Sequence, residues 1–268
     1  GIYNFGVWSF IRAQLSMLVS SVDLFVIGKY LPIKDLGIYD KSFSLTERSV
    51  KGITMPLNTV LFSSFSRLQE DSVAQKTVFL NALKILLLIL VPSIFGFIAL
   101  APNFVLTLLG VKWTGAIIPI QILAGSLFFK LPGGTIASLN IANGNFKVQT
   151  LCELGTTVCL ITLCFMLVQY GILAICIAVL IYSGLNFLFG LFILKKYLMI
   201  KLTEVFKTFV YPIGVSTIMI MVVLSFSENI FMDQSSIVHF LSLVIIGIIV
   251  YALIVFFLYK KRYLIFNW

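Results

Sequence analysis

The chain has 268 residues, of which 60% are hydrophobic and 11% are charged, and its mean hydropathy is +1.09. A soluble domain carries about 25% charged residues, so the composition argues against a soluble protein of this length. The formal net charge of +9 could suggest a nucleic-acid partner. Most of the basic residues, however, lie at the ends of apolar stretches, as membrane topology requires. The composition predicts a polytopic membrane protein without a nucleic-acid partner.

Apolar stretches long enough to cross a bilayer recur along the whole chain, at roughly 17–25 residues for each span. Backbone polar groups must be paired in hydrocarbon, and the lengths and the lack of strict alternation favour helices over barrel strands. The predicted fold class is therefore all-α, a transmembrane bundle of about eight helices. The predicted spans are about 7–30, 38–62, 79–101, 115–140, 150–169, 172–194, 206–226 and 237–259.

The basic residues between the spans give an independent test of this topology. If the N-terminus is cytoplasmic, eleven Lys and Arg residues fall inside and three, Lys29, Lys34 and Lys112, fall outside. Such a bias is typical of the positive-inside rule and predicts that both termini are cytoplasmic. The inside residues are Arg67, Lys76, Lys84, Lys147, Lys195, Lys196, Lys201, Lys207, Lys260, Lys261 and Arg262.

The first two predicted spans carry polar stripes. In the second span, polar residues at alternating intervals of four and three share one helix face about 27 Å long. These residues are Asp40, Ser44, Glu47, Lys51, Thr54 and Asn58, with Arg48 beside them. A sparser stripe in the first span comprises Ser9, Arg12, Ser16, Ser20 and Asp23. Arg12 and Asp23 would lie about 16 Å apart along the axis, so each needs a partner elsewhere.

Energetics exclude a lipid-facing position for these stripes, because each charge at the bilayer centre costs at least roughly 2.5–3.5 kcal/mol. One interpretation is a structural ion-pair network, in which Glu47 could pair with Lys51 four residues later. The other, which the intervening Ser, Thr and Asn residues favour, is a hydrophilic cavity for a charged substrate or coupling ion. Lys130 is a further candidate, because KLPGG (130–134) joins a base to an expected helix break.

The sequence offers no evidence for enzyme catalysis. It contains no Gly-rich phosphate loop ending in Lys-Ser or Lys-Thr, and the loops are too short for a soluble catalytic site. We expect no catalytic residues, no metal site and no cofactor. The four cysteines, Cys152, Cys159, Cys164 and Cys176, lack the paired spacing of a metal site and are expected to pack as small hydrophobic residues. Glu153 is expected at the membrane interface.

Three segments carry a family resemblance. They are VDLFVIGKYLPIKDLGIYDKSFSL (22–45), LFSSFSRLQED (61–71) and APNFVLTLLGVKW (101–113). Together they resemble the polysaccharide-exporting, Wzx-type branch of the multidrug/oligosaccharidyl-lipid/polysaccharide (MOP) flippase superfamily, which also contains the multidrug (MATE-type) transporters. The resemblance covers about the first 145 residues, and the remainder matches by hydropathy alone.

The resemblance implies an architecture. Full-length relatives have about fourteen helices, and these segments match the seventh and eighth, so residues 1–194 would be a second six-helix lobe. Residues 195–268 would add two C-terminal helices with a basic linker and tail. The chain starts without Met and without a secretory signal peptide, and we therefore expect the first lobe to precede it in a longer protein.

The resemblance also implies a function: flipping of undecaprenyl-diphosphate-linked oligosaccharide across a bacterial plasma membrane, by alternating access. Arg12, Arg48 and Lys51 would then neutralise the diphosphate or an acidic sugar. Asp23, Asp40 and Glu47 would hold those bases in the empty state or titrate with a coupling ion. The cavity-lining candidates are Arg12, Asp23, Asp40, Glu47, Arg48, Lys51, Asn58 and Lys130.

The expected partners are the lipid-linked oligosaccharide, membrane lipids, the first lobe, and a polysaccharide polymerase with its co-polymerase. Two alternatives stay open. A drug/cation antiporter of the same superfamily should have a net acidic cavity, whereas the bases and acids of the two stripes are balanced. A non-transporting membrane assembly subunit would use the charges structurally, so that conservative charge-pair swaps would leave its activity intact.

Overall fold

The computed structural model describes residues 2–229 and 237–260. In these residues every regular element is a helix, in agreement with the predicted all-α class. The helices are α1 (Ile2–Val19), α2 (Val22–Tyr30), α3 (Ile33–Phe43), α4 (Ser49–Arg67), α5 (Ser72–Phe104), α6 (Ile117–Ala142), α7 (Phe146–Leu167), α8 (Ile172–Tyr197), α9 (Leu202–Asn229) and α10 (Ile237–Lys260).

Seven helical segments of the described chain are long and apolar enough to cross a membrane. They coincide with seven of the eight predicted spans and confirm a polytopic helical bundle. The remaining predicted span, 38–62, lies inside a continuous helical stretch from 33 to 67. Its charged residues make it too polar to qualify by composition alone, although its length is sufficient.

The first predicted span is two helices rather than one. The chain breaks between α1 and α2 at Ser20–Ser21, and the Ser20 hydroxyl donates a hydrogen bond to the Met17 carbonyl at 2.9 Å. Serine hydroxyls that bond to nearby carbonyls compete with the helical ladder, and Ser pairs are common kink sites. The expected stripe therefore changes direction before it reaches Asp23.

A single π-helical turn, Ser44–Arg48, joins α3 to α4. A π turn accommodates one more residue than an α turn, so the residues beyond it are rotated relative to those before it. This turn lies in the middle of the polar stripe predicted for the second span. Asp40 and Glu47 consequently do not share a face.

The helix break expected at KLPGG is wrong, because α6 continues through Pro132 to Ala142. A transmembrane helix tolerates a proline when its neighbours re-satisfy the freed backbone groups. Gly134 serves close packing instead, because a Cβ atom there would lie 2.8 Å from Asn58 Nδ2. A Cβ atom on Gly133 would make an ordinary contact, 4.0 Å from the Phe187 Cα atom.

Helix α6 lies at the centre of the bundle and contacts α3, α4, α5, α7 and α8. One apolar cluster, which includes Phe65, Phe79 and Phe187, packs between α4, α5, α6, α8 and α9. A second cluster, around Tyr39 and Leu160, joins α2, α3, α7 and α8. Two of the free cysteines, Cys164 and Cys176, are buried in this second cluster as small apolar side chains.

Helices α9 and α10 pack on the outer side of α5. Large apolar side chains such as Ile248, Leu253 and Phe256 are exposed along α10. Contiguous apolar exposure of this extent is not found on soluble proteins and is expected for surfaces that face lipid. The protein is therefore a multi-pass membrane protein.

Candidate functional site

A polar cavity of about 540 Å³ opens between α1, the π turn with α4, α6, α7 and α8. Its apolar walls carry a small set of charged and amide side chains that point inwards. Concave sites with a few convergent polar groups are the usual form of a ligand site. The charged and amide side chains of this lining are Arg12, Glu47, Asn58, Lys130, Gln149, Glu153 and Asn186.

Arg12 and Glu153 form the first ion pair of the cavity. Arg12 donates from Nε to Glu153 Oε2 at 2.8 Å and from Nη2 to Oε1 at 3.0 Å. Such two-point pairing fixes the orientation of both planar groups. Glu153 Oε1 also accepts from Gln149 Nε2 at 3.0 Å, and Gln149 in turn accepts from Asn140. The pair thus connects α1 with α7 and, through Asn140, with α6.

Glu47 and Lys130 form the second ion pair. Lys130 Nζ lies 2.5 Å from Glu47 Oε1, which also accepts from the Ser126 hydroxyl at 2.9 Å. Glu47 belongs to the π turn, whereas Lys130 and Ser126 lie one helical turn apart on α6. The buried carboxylate therefore has both a charge partner and a neutral donor, as a buried charge requires.

In both pairs the base is more exposed than the acid. The side chain of Arg12 is 34% exposed against 18% for Glu153, and that of Lys130 is 23% exposed against 1% for Glu47. The two pairs add no net charge to the cavity, but their positive ends are the more accessible ones. Guanidinium and ammonium groups in this position are suited to an anionic ligand.

Asn58 extends this polar lining along α4. Its amide lies against Gly134 of α6, and its Oδ1 atom is buried without a hydrogen-bond partner. Thr54, one turn earlier, also lines the cavity. The structure thus brings four of the eight candidate residues to the cavity: Arg12, Glu47, Asn58 and Lys130.

Asp23 lies elsewhere, in contrast to the expectation that it lines the cavity. It is 1% exposed and accepts a hydrogen bond from the Tyr39 hydroxyl at 2.6 Å. The cause is the break at Ser20–Ser21, which turns α2 away from the stripe on α1 and into the apolar cluster around Tyr39. The partner of Asp23 is therefore a neutral hydroxyl, and no basic residue bonds to it within the described chain.

Asp40 and Arg48 also lie outside the cavity, contrary to expectation. They pair with each other at 2.9 Å, with side chains that are 47% and 51% exposed, and Arg48 lies over the Phe43 ring. The π turn is the reason, since its extra residue places Arg48 above Asp40 and turns Glu47 towards α6. Lys51 belongs to α4, but its side chain lies outside the described part of the structure.

Of the charged and amide residues of the cavity, three were not among the candidates: Gln149 and Glu153 on α7, and Asn186 on α8. Glu153 pairs with Arg12 inside the cavity, and its expected position at the membrane interface stays a prediction. Gln149, Glu153 and Thr157 recur every four residues on one face of α7. That spacing was a usable signal, although weaker than the stripe of the second span.

The described residues contain no group of three His, Cys, Asp or Glu side chains placed to hold a metal ion. The four charged side chains of the cavity hold one another in two ion pairs, and Gln149 donates a hydrogen bond to Glu153. The arrangement is suited to binding an anionic group reversibly, by exchanging a carboxylate partner for a ligand oxygen.

Comparisons with known proteins agree with this architecture. Residues 1–119 match the family model described as "Polysaccharide biosynthesis protein". The teichuronic acid biosynthesis protein TuaB of Bacillus subtilis (strain 168) is 23% identical over 81% of this chain and 45% of its own length. The lipopolysaccharide biosynthesis protein WzxC of Escherichia coli (strain K12) is 23% identical over 54% of this chain and 30% of its own length.

Among solved structures, the lipid II flippase MurJ in an inward closed conformation superimposes with a TM-score of 0.78 at 20% identity. The match covers 94% of this chain and 53% of MurJ, so the two share a fold. The chain spans about half the length, or less, of the relatives that it matches. Together these matches confirm that the chain resembles the polysaccharide-exporting flippases of the MOP superfamily.

Proposed function

We propose that this chain is part of a flippase that moves lipid-linked oligosaccharide across a bacterial plasma membrane for polysaccharide export. The observation that carries the proposal is that the polar cavity holds two ion pairs in which the bases, Arg12 and Lys130, are more exposed than their carboxylates. A lipid-linked oligosaccharide of the undecaprenyl-diphosphate type has an anionic head beside its sugars. That head requires positive groups that become available when it arrives.

Arg12 and Lys130 differ in how they would hold a diphosphate. The guanidinium of Arg12 offers two parallel donors, which match two oxygens of one phosphate. The ammonium of Lys130 acts as a compact point charge on a flexible stem. In the empty state Glu153 and Glu47 occupy these donors, so binding exchanges a carboxylate for a phosphate oxygen. The bases are thereby kept paired in both states.

The substrate also has a long apolar tail, and the molecule has a second cavity that suits it. This cavity, of about 520 Å³, lies between α5, α9 and α10 and is lined almost wholly by apolar side chains such as Leu100, Met219 and Leu243. A polyprenyl chain transferred from lipid to this surface stays in an apolar environment. The proposal therefore assigns the head to the polar cavity and the tail to this apolar groove.

Alternating access would require a second half. Residues 1–194 would form one six-helix lobe, with 195–268 as two additional helices, and the other lobe would come from the longer protein of which this chain is a part. Rocking of the two lobes would expose the site to each leaflet in turn. Both termini of the present segment would be cytoplasmic, and the function is transport rather than catalysis. The product would pass to a polymerase and its co-polymerase.

The cation antiporter is disfavoured by the order of charges in the cavity. A site for cations would present its carboxylates to the open space, whereas here Glu47 is buried behind Lys130. The membrane assembly subunit is distinguished by experiment, because in that case the ion pairs would only support packing.

The test uses the full-length protein containing this chain, in a bacterial strain without its own flippase for the same polysaccharide. Lys130→Gln removes the cavity base and leaves a neutral donor for Glu47. We expect surface polysaccharide to fall by about tenfold or more, since a lost charge-assisted contact of 1.5–3 kcal/mol corresponds to about one to two decades. Lipid-linked repeat units should accumulate inside.

Lys29→Gln is the matched control, because it removes an exposed base at the end of α2, outside the cavity. It should export polysaccharide at the wild-type level. Wild-type export by Lys130→Gln, at equal membrane abundance, would show that the cavity charges serve packing. Failure of the wild-type protein itself to restore any polysaccharide would contradict the flippase assignment.

A further inference from the structure

The pairing of Asp40 with Arg48 depends on the π turn. These residues are eight apart, and in a regular α-helix a separation of eight places two side chains about 80° apart around the axis. The extra residue in the π turn removes most of this angle, and the two side chains meet at 2.9 Å. The same extra residue turns Glu47 away from the face of Asp40 and onto Lys130 of α6.

Without the extra residue at this point, the helix would present a different face. Asp40, Ser44 and Glu47 would lie in line, as their spacing of four and three indicates. Glu47 would leave Lys130, and Arg48 would leave Asp40. The position of the π turn in the helix therefore decides whether Lys130 has a carboxylate partner.

A second position at which the helix could accommodate the extra residue of a π turn lies two turns further along α4. Pro56 has no backbone N–H, so the carbonyl of Gly52 has no helical donor there, and the ladder is already open. Gly52 has open space around it, since a Cβ atom at this position would meet nothing within 4 Å. The segment between the two sites, residues 47–52, is short enough to rotate as one unit.

We propose that the π turn migrates between Ser44–Arg48 and the Gly52–Pro56 region, and that this movement controls the anion-binding lysine of the cavity. With the π turn at Ser44–Arg48, Glu47 holds Lys130. Migration rotates residues 47–52 by about 100°, which is the angle of one residue in an α-helix. Lys130 is then free to bind the anionic head of the substrate. This inference rests on the proposed function, since it assigns a regulatory step to the same site.

The direction of coupling follows from competition for Lys130. An anionic ligand that bonds to Lys130 removes the charge partner of Glu47, which is 1% exposed and keeps only the Ser126 hydroxyl. A carboxylate left in that state is costly, so rotation towards the exposed face of Asp40 becomes favourable. Ligand binding and migration of the π turn therefore support each other.

Hydrogen–deuterium exchange of the full-length wild-type protein in lipid nanodiscs tests the movement directly. The probe is undecaprenyl diphosphate in the nanodisc lipid, compared with undecaprenol, which has the same tail without the anion. We expect the amides of residues 47–56 to exchange at least about threefold faster with the diphosphate, because migration opens backbone hydrogen bonds there. Residues 150–160 of α7 serve as the internal reference. Unchanged or slower exchange in 47–56 would overturn the proposal.

Deletion of Ser44 tests whether the movement is needed for transport. The deletion removes the extra residue and leaves a regular helix in which Arg48 still follows Asp40, now at a spacing of seven. Both ion pairs and the cavity are retained, but no π turn is left to migrate. We expect export to fall by about tenfold, which corresponds to about 1.4 kcal/mol on the limiting step, because the gating movement is lost. Ser44→Ala, which keeps the chain length, should export normally.

The outcomes separate this inference from the proposed function. Wild-type export by the Ser44 deletion together with impaired export by Lys130→Gln would overturn the migrating turn and leave the flippase site standing. Wild-type export by both variants would contradict the site as well. If the deletion variant does not reach the membrane, the exchange measurement on the wild-type protein decides the matter by itself.

Discussion

Asp23 shows how the neighbours of an ionisable residue decide its role. Its carboxylate lies in the cluster of α2, α3, α7 and α8, where Tyr39 donates at 2.6 Å and the Leu24 amide donates at 2.8 Å. A buried polar group needs such partners, and the loss of one leaves the other unsatisfied. The Asp23–Tyr39 contact therefore holds α2 to α3 and is expected to act on stability rather than on ligand binding.

Tyr39→Phe should lower the free energy of unfolding by about 1–3 kcal/mol, because it leaves a buried carboxylate without its hydroxyl donor. The measurement is thermal unfolding of the purified protein in detergent. Tyr30→Phe removes a hydroxyl from an exposed tyrosine and should change little. Equal stability of the Tyr39→Phe protein and the wild type would contradict the structural role assigned to this contact.

Residue positions in the cavity could be predicted only in part. Arg12, Glu47, Asn58 and Lys130 were accessible to sequence reasoning, because charges and amides in apolar spans must find a polar environment. Their partners were not, because Glu153 is separated from Arg12 by 141 residues and Lys130 from Glu47 by 83. Such pairs depend on which helices become neighbours, and helical periodicity contains no information about that.

At the scale of the elements, two local departures from regular helix account for the misplaced residues. The break at Ser20–Ser21 redirects Asp23, and the π turn at Ser44–Arg48 separates Glu47 from Asp40 and Arg48. A stripe drawn at 3.6 residues per turn assumes that no residue is inserted or omitted. One extra residue rotates everything beyond it by about 100°. Residues on opposite sides of such a point therefore do not share the helix face that their spacing predicts.

The close packing of α6 on α8 is a second feature of the elements, and it depends on the small size of Gly190. A Cβ atom on Gly190 would lie 2.9 Å from the Cγ2 atom of Ile136, which is fully buried. Gly190→Ala should therefore destabilise the protein by about 1–3 kcal/mol through overpacking, as measured by thermal unfolding in detergent.

Gly184, on the same helix, provides the control for this substitution. A Cβ atom there would meet nothing within 4 Å, so Gly184→Ala should be neutral or stabilising by up to about 1 kcal/mol, since Ala is the better helix former. If both substitutions had the same effect, the interface between α6 and α8 would not depend on the small size of residue 190.

For the whole molecule, the fold class was predictable because hydropathy and span length directly reflect the thickness of the bilayer. The arrangement of the helices was not predictable from these quantities. It came from the resemblance of residues 22–45, 61–71 and 101–113, and the superposition on MurJ confirms the fold. The exposed apolar face of α10 is also explained only by the whole molecule in its membrane, where lipid covers this face.

The membrane orientation is a prediction for the whole molecule. Val111→Cys and Met199→Cys place thiols at positions that are 75% and 87% exposed, in segments predicted to lie outside and inside, respectively. A membrane-impermeant maleimide should label Val111→Cys in intact cells but Met199→Cys only after permeabilisation. The unsubstituted protein, to which this chain contributes four cysteines, measures the background. The opposite labelling pattern would reverse the predicted orientation.

The pairing of each cavity base with a carboxylate has an electrical consequence. A charge that crosses the membrane field gains or loses about 2.3 kcal/mol for each 100 mV. Arg12 with Glu153, and Lys130 with Glu47, form two neutral dipoles, so under the proposed function these groups would carry no net charge when the vacant cavity changes the side to which it opens. The resting membrane potential would then neither drive nor oppose their return, and voltage would act on the proposed cycle through the charge of the cargo.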